Sequence, residues 1–553
     1  MVFFIKNINY ILKNKIFLSL LLLAYLIKIA VNNFLLAENG DTYDFFKVAH
    51  LIRNMDISYE SKRMPLLPLI LSIFPPEYFV QWGRIVINLF YFGSIIIFYK
   101  YFILLKSKNI EKKKQELAKL KISSVSVFVS LIFATNIIIF ENSFYILADT
   151  IFLFWNLLFL YIYRKYNTNK IFWLSLVAGL AFYTRPEGLI LYIALSLIEV
   201  YRITKSHKDR KMNIRNYEIR NFVILVFSGL ILILPFFLRN FFLYEKILYS
   251  GYLEDQAGFI FTKELFLQRI GNFLFGLGGI WLLPTIYLLF KSEISKPAKN
   301  YRTAIEKNIN VEVIIFVLYS TTLILWGPYV RLYSIPLTFL LIFVFKKLIE
   351  WDEVKINNKD LAILIILYLL SAISYVVIVQ KYNHEDLGYR KLGKAISIFS
   401  SLFLPAYLIA YTQKMLSQKN LIILFATTLI IINLFIFADK FRITRYKYYT
   451  LRLATELYLE NYKNTGNLGY NSGSDLEMWY TRDFNKQNDF LRGDPPLSIW
   501  ATDRNIKYII VTKEFGHNDK FTDYGDLDNT GHRIIKEFES PFFYGKTKLI
   551  ELY

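Results

Sequence analysis

IFLSLLLLAYLIKIAVNNFLL (Ile16–Leu36) is an apolar run long enough to cross a bilayer, and ENGDTYDFFKVAHLIRNMDISYESKRMPLLPLIL (Glu38–Leu71) follows it directly. A hydrocarbon core of about 30 Å needs about 20 apolar residues per helix, and the first run supplies them. It runs too long for a signal-peptide core and has no small-residue cleavage site, which reads as a retained first span. The second stretch gathers carboxylates, an amphipathic helix and an arginine at the far membrane surface.

Working outward, the same pattern repeats along the chain. Hydrophobic residues make up 55% of 553 positions, and mean hydropathy is +0.35, high for a soluble protein. Apolar windows predict about thirteen spans, near 16–36, 79–105, 123–140, 144–163, 171–184, 187–201, 220–243, 267–290, 311–327, 330–346, 361–380, 397–412 and 420–438. The fold class expected is an α-helical polytopic membrane protein, with residues 1–438 as the transmembrane domain and 37–78 as its first extracytoplasmic loop. Basic runs begin at Lys106, Arg164, Arg202 and Lys291. With the N-terminus inside, short cytoplasmic loops carry about thirty Lys and Arg against about fourteen outside, the bias expected of inner loops. An odd number of spans then leaves the C-terminal region extracytoplasmic, on a cell membrane protein.

The net charge of +21 sits in the membrane part and needs no nucleic acid, because basic loops facing anionic headgroups account for it. The chain has no cysteine and five histidines. That excludes thiolate chemistry and makes no case for a histidine-built zinc site. From Asp439 the texture becomes polar and mixed. Tyr448–Tyr462 reads as a helix, and Ile506–Lys513, Arg533–Glu539 and Lys546–Tyr553 as strands. Residues 439–553 are therefore expected to form a small α/β domain that covers the outer face or helps bind an acceptor.

In the first outer loop, Phe45, Val48, Ala49, Leu51 and Ile52 have helical spacing, with Lys47, His50 and Arg53 on other faces. Such a helix would lie in the interface plane. Asp41 and Asp44 stand about one turn apart at its start, where carboxylates also suit the helix dipole and serve equally well as caps. Arg63 precedes Pro65, which is tolerated in a first helical turn, so the arginine beside a positive helix start suits a phosphate. Arginine bonds phosphate oxygens in pairs, although one at a helix end also simply snorkels.

Asp149 lies several residues into an apolar run, where a carboxylate costs about 3 kcal/mol or less depending on depth and usually lines a cavity. Glu141 stands at the turn before it. Arg185 and Glu187 form an adjacent acid–base pair in a helix break, and Arg331 lies between two further spans. All of these fall on one side of the membrane.

The elements GDTYDFFKVA, RMPLLP, LADTIFLFWNLLFLYIY, GLAFYTRPEGL and VRLYSIPLTFLL, in this order and followed by an outer α/β tail, resemble a GT-C glycosyltransferase. The resemblance is to the clan of protein O-mannosyltransferases and bacterial lipid A aminoarabinose transferases, and covers most of the chain. It implies a polyprenyl-phosphate sugar donor, an extracytoplasmic acceptor and inversion. By position, Asp41 resembles the clan's catalytic loop acid and Arg63 the basic residue near the lipid phosphate. Asp149 resembles a second cavity acid, and Arg185 and Glu187 match a turn at the cavity rim. Many relatives have an Asp-Glu pair where this chain has Asp41-Thr42 with Asp44 three residues on, so the base is either Asp41 or Asp44. A cation such as Arg63 or Arg331 would meet charge developing on the phosphate. A divalent ion at Asp41 and Asp149 is compatible with the pattern and not demanded by it. Many spans with a few buried charges also describe a transporter or flippase. That reading predicts internal repeats with broken helices near the midplane, and the sequence shows no convincing repeat. A polysaccharide polymerase or ligase is the third alternative.

Overall fold

A computed structural model describes residues 15–32, 38, 40–56, 58, 63–107, 126–127, 129–166, 170–208, 212–246, 311–326, 330–350, 449–470, 479–480, 497–512, 531–539 and 546–553, with isolated positions besides. The spans expected near 267–290, 361–380, 397–412 and 420–438 lie almost wholly outside them. The described helices are α1 (Lys15–Asn32), α2 (Gly40–Arg53), α3 (Leu66–Ser72), α4 (Phe79–Ser107), α5 (Ile137–Asn142), α6 (Ala148–Lys165), α7 (Lys170–Thr184), α8 (Leu189–Lys208), α9 (Met212–Tyr244), α10 (Val311–Trp326) and α11 (Ser334–Glu350). In the tail come α12 (Tyr449–Asn461), β1 (Asn467–Tyr470), α13 (Leu497–Asp503), β2 (Ile506–Thr512), β3 (His532–Glu539) and β4 (Lys546–Leu552).

Among the described residues, Pro76–Leu104 and Tyr217–Tyr244 are long and apolar enough to cross a membrane, with shorter apolar helices at Lys170–Thr184 and Val311–Ile324. Helix α4 packs on α6, α6 on α7, and α7 on α9, with α10 against α8 and α11. Side chains such as Phe98, Phe133, Phe159, Leu174 and Ile315 fill one continuous core between them. A lysine inside α1 finds polar partners. Lys28 is fully buried and donates to Ser143 O at 2.5 Å and to Asn88 Oδ1. Its ammonium lies over the rings of Tyr91 and Phe144.

Two expected spans have different boundaries. The run 123–140 is broken at Asn136, whose backbone leaves the helical region (φ −57°, ψ 129°) and whose side chain accepts from the amides of Ile138 and Ile139. This is an N-cap, which starts a new short helix, α5. The run 144–163 becomes helical only at Ala148, because Leu147 is extended (φ −124°, ψ 154°). Asp149 therefore sits in a first helical turn, not several residues inside a span.

The described residues of the tail form two helices and a four-stranded sheet, of which β1 and α13 were not among the expected elements. Short β1 pairs parallel to β2, while β4 pairs antiparallel to both β2 and β3, giving the order β1-β2-β4-β3. Helix α13 places Trp500 against β1, where Gly469 leaves room for it: a Cβ there would stand 2.7 Å from the indole. Helix α12 covers the sheet, and Thr547 Oγ1 donates to Thr450 Oγ1 across that contact at 2.9 Å. Leu451, Ala454 and Tyr458 of α12 share a second core with Tyr43, Phe46, Leu67, Phe79 and Ile146. The tail thus packs directly on α2, through Tyr480 on Tyr43 and Trp479 on Phe46.

Candidate active site

Helix α2 starts at Gly40 with Asp41 in its first turn. Its buried side chains Thr42, Tyr43, Phe45, Phe46, Val48 and Ala49 leave Asp41, Asp44, Lys47 and His50 as a half-exposed stripe at i, i+3 spacing. The helix is amphipathic as expected, but its apolar face is covered by protein. Arg63, from the segment before α3, reaches both acids of that stripe. Its Nη2 lies 2.7 Å from Asp41 Oδ1 and its Nε 2.8 Å from Asp44 Oδ2. The arginine side chain is 8% exposed, against 30% for Asp41 and 22% for Asp44, and its guanidinium lies over the Phe45 ring. Arg63 stands two residues before the N-cap of α3, Pro65, as the sequence places it. The seven-residue α3 begins after Pro65 with no side-chain cap, and Arg63 engages the two carboxylates. Arg53 closes the hairpin by donating to Ser72 O at 3.1 Å and Phe74 O at 3.2 Å.

A second cluster stands beside the first. Arg185 is extended (φ −152°, ψ 141°) between α7 and a 3₁₀ turn, Pro186–Gly188. Its Nη1 donates to Asp149 Oδ1 at 2.8 Å, and its Nη2 and Nε to the two Glu187 oxygens at 2.9 and 3.3 Å. The turn folds back tightly over α7: a Cβ on Gly188 would lie 2.2 Å from Phe182 N and 2.4 Å from Ala181 C. Only glycine permits that backbone approach. Phe152 packs edge-on against Tyr319 of α10 at 5.9 Å and under Arg185 at 6.0 Å. The two clusters belong to one end of the bundle, because α3 packs on α7 and Thr42 Oγ1 donates to Ile146 O, just before α6, at 3.3 Å.

Glu141 lies half-buried in α5, and the turn after it receives the Thr150 hydroxyl at Asn142 O, 3.0 Å. Arg331 falls in a 3₁₀ turn, Val330–Tyr333, that packs on α5. Asp41 pairs with Arg63 and Asp149 with Arg185. Among the described residues no group of three His, Cys, Asp or Glu is arranged to hold a metal.

Sequence reading missed a third cluster at this end. Glu38 is buried and pairs with Arg84 of α4 at 2.6 Å, while its backbone N–H donates to Tyr43 Oη at 3.4 Å. Burial pushes the Glu38 carboxyl up from its usual range, against the pull of the Arg84 guanidinium, and pushes the Tyr43 phenol well above its usual value. The signal available was an arginine inside an apolar run, FVQWGRIVINLF, of the kind that marks a partner or a cavity. Missed for the same reason was a lock at the other end of the bundle. There Arg164 grips Glu312 in a fork (2.7 and 2.8 Å) and Tyr101 Oη also bonds that carboxylate. Arg164 lies fifteen positions after Asp149 on one helix, roughly 22 Å away, so it tethers α6 to α10 far from the acids described above.

This end of a helical bundle therefore carries paired acids and arginines on and beside its loop helices, next to the α/β tail. Among solved structures, ArnT from Cupriavidus metallidurans bound to undecaprenyl phosphate is similar over 97% of each chain, with a TM-score of 0.53 at 9% identity. The same protein in the apo state is similar over 96% of this chain and 98% of its own, at 10% identity and a TM-score of 0.48. The likeness is one of fold. No protein-family model and no curated protein matches the sequence.

Proposed function

We propose that the chain is a membrane glycosyltransferase that moves a sugar from a polyprenyl-phosphate donor to an extracytoplasmic protein, lipid or glycan, with inversion. The observation carrying this reading is Arg63 held between Asp41 and Asp44, on a fold similar to that of a solved ArnT structure bound to undecaprenyl phosphate. A phosphate entering beside Arg63 competes with both carboxylates for one guanidinium. The carboxylate that yields is then available to take the acceptor's hydroxyl proton. As the acceptor oxygen bonds to the anomeric carbon, the bond from that carbon to the phosphate oxygen breaks. Polyprenyl phosphate leaves as an anion stabilised by Arg63, with Arg331 as the second candidate cation. The leaving group needs no strong acid, so the acids on this surface serve the acceptor side. Asp149, Arg185, Glu187 and Glu141 form the cavity rim in this reading, with the tail on the extracytoplasmic side.

The test is release of polyprenyl phosphate from a panel of polyprenyl-phosphate sugars by the purified protein in nanodiscs with an acceptor extract. Wild type is expected to consume at least one donor, and Arg63→Ala to raise the KM for it by about tenfold or more, the loss of a charge-assisted pair. If no donor is consumed while a labelled lipid-linked substrate crosses proteoliposome membranes, the enzyme reading fails and the transporter reading replaces it.

A further inference from the structure

We infer that the C-terminal domain is a positioning part of the catalytic apparatus: Trp479 and Tyr480 clamp the helix carrying Asp41 and Asp44 against the membrane bundle and set where its carboxylates stand. The inference rests on Asp41 and Asp44 being the reactive acids.

Helix α2 is only 14 residues long, so its own turns do little to fix its rotation about its axis. Its buried face meets two different bodies. On one side are Leu67, Leu71 and Ile146 of the membrane part. On the other stands the pair Trp479-Tyr480, in helical conformation and contributed by the tail. The Trp479 ring is 5.0 Å from Phe46 of α2 and stacks on Phe79, the first residue of α4, at 5.5 Å and 15°. It is a wedge that touches the loop helix and a long membrane helix at once, and it is 5% exposed. Tyr480 packs on Tyr43 at 6.0 Å and shares a side-chain hydrogen bond with it.

Tyr43 in turn receives the Glu38 amide, and Glu38 is held by Arg84. The contacts therefore run from the tail through α2 to a membrane helix. Tyr43 and Phe46 bracket Asp44, and Tyr43 lies two residues after Asp41. A rotation of α2 that loosens these rings moves both carboxylates away from Arg63. Misplacing a reacting group by about 1 Å costs on the order of 10²-fold in rate.

The experiment uses the full-length protein in nanodiscs, with hydrogen–deuterium exchange of the amides in 41–53 and steady-state donor turnover measured on the same samples. Trp479→Ala is expected to speed exchange in 41–53 selectively, leaving α6–α9 at wild-type rates. It should lower kcat by about 10–100-fold and also raise the donor KM, because Asp44 holds Arg63. Trp479→Phe keeps a stacking ring and should recover most of both. Tyr480→Phe, which removes only the hydroxyl, should give a smaller selective change in the same direction. Arg533→Ala, at the exposed Arg533–Glu551 pair of the sheet, should change neither reading. Unchanged exchange in 41–53 overturns the clamp, as does exchange that rises equally in α6–α9. Faster exchange with unaltered kcat overturns its positioning role. Selective loosening of α2 in a protein that consumes no donor leaves the clamp standing and defeats the glycosyltransferase reading instead.

Discussion

Asp41→Asn is expected to lower donor turnover by about 10²–10⁴-fold, the usual contribution of a positioned general base, with the donor KM little changed. Asparagine keeps the shape of the side chain and still accepts a hydrogen bond from Arg63, but it takes no proton from an acceptor hydroxyl. Arg63 also retains Asp44 at 2.8 Å, so the phosphate-binding group stays in place. The two acids are distinguished by how they meet the arginine. Asp41 bonds the terminal Nη2 and is 30% exposed, whereas Asp44 bonds Nε, nearer the stem, and is 22% exposed. Under the proposed function, the more open Asp41 is the acid offered for proton transfer and Asp44 the one that holds Arg63. Asp44→Asn is accordingly expected to act mainly on the donor KM. Initial rates over a donor concentration series separate the two. A large kcat loss for Asp44→Asn with near-normal turnover for Asp41→Asn would exchange the roles, and near-normal turnover for both would remove the site.

Arg185→Ala carries the largest expected effect on stability. Asp149 is 5% exposed and Glu187 has a side chain 7% exposed, and both bond the same guanidinium. Its removal leaves two buried carboxylates without their shared cation, a change that costs about 3–5 kcal/mol for a buried pair. The measurement is thermal unfolding in detergent, read against the wild type. Lysine at 185 supplies one point charge where the fork serves two carboxylates, so Arg185→Lys should recover only part of the loss. Adding Asp149→Asn to Arg185→Ala should restore some stability, because one of the uncompensated charges is gone. Additive losses in that double variant would show that the two side chains are not coupled. Unchanged unfolding of Arg185→Ala would mean the cluster contributes nothing to the fold.

Legibility in the sequence followed the physics of each element. Long apolar runs announce themselves because a bilayer demands them. Helix α12 and strands β2, β3 and β4 were predicted within a residue or two because their patterns are local. What stayed hidden was set by tertiary partners. Nothing in the run around Asn136 marks it as a cap rather than a polar residue in a span, since the distinction lies in which amides it receives. The first-turn place of Asp149 depends on an extended Leu147. In the site, the arginines and acids at the domain-bearing end were legible as types, and the pairing Asp149–Arg185–Glu187 was legible only for its adjacent half. The union of Arg63 with both Asp41 and Asp44 was not, because it joins residues 19 and 22 positions apart across a reversal of the chain. Trp479 and Tyr480 lie more than four hundred positions from α2, where no periodicity reaches.

The most direct measurement is photolabelling of the protein in nanodiscs with a polyprenyl phosphate that carries a photoreactive group beside the phosphate, followed by peptide mapping. The account predicts adducts in residues 38–71 and at the neighbouring ends of α6 and α7, with labelling of both reduced by Arg63→Ala and by competing unlabelled polyprenyl phosphate. Competable adducts confined to the opposite end of the bundle, around Arg164, Arg202 and Glu312, would place the lipid phosphate away from Asp41 and Asp44 and contradict it.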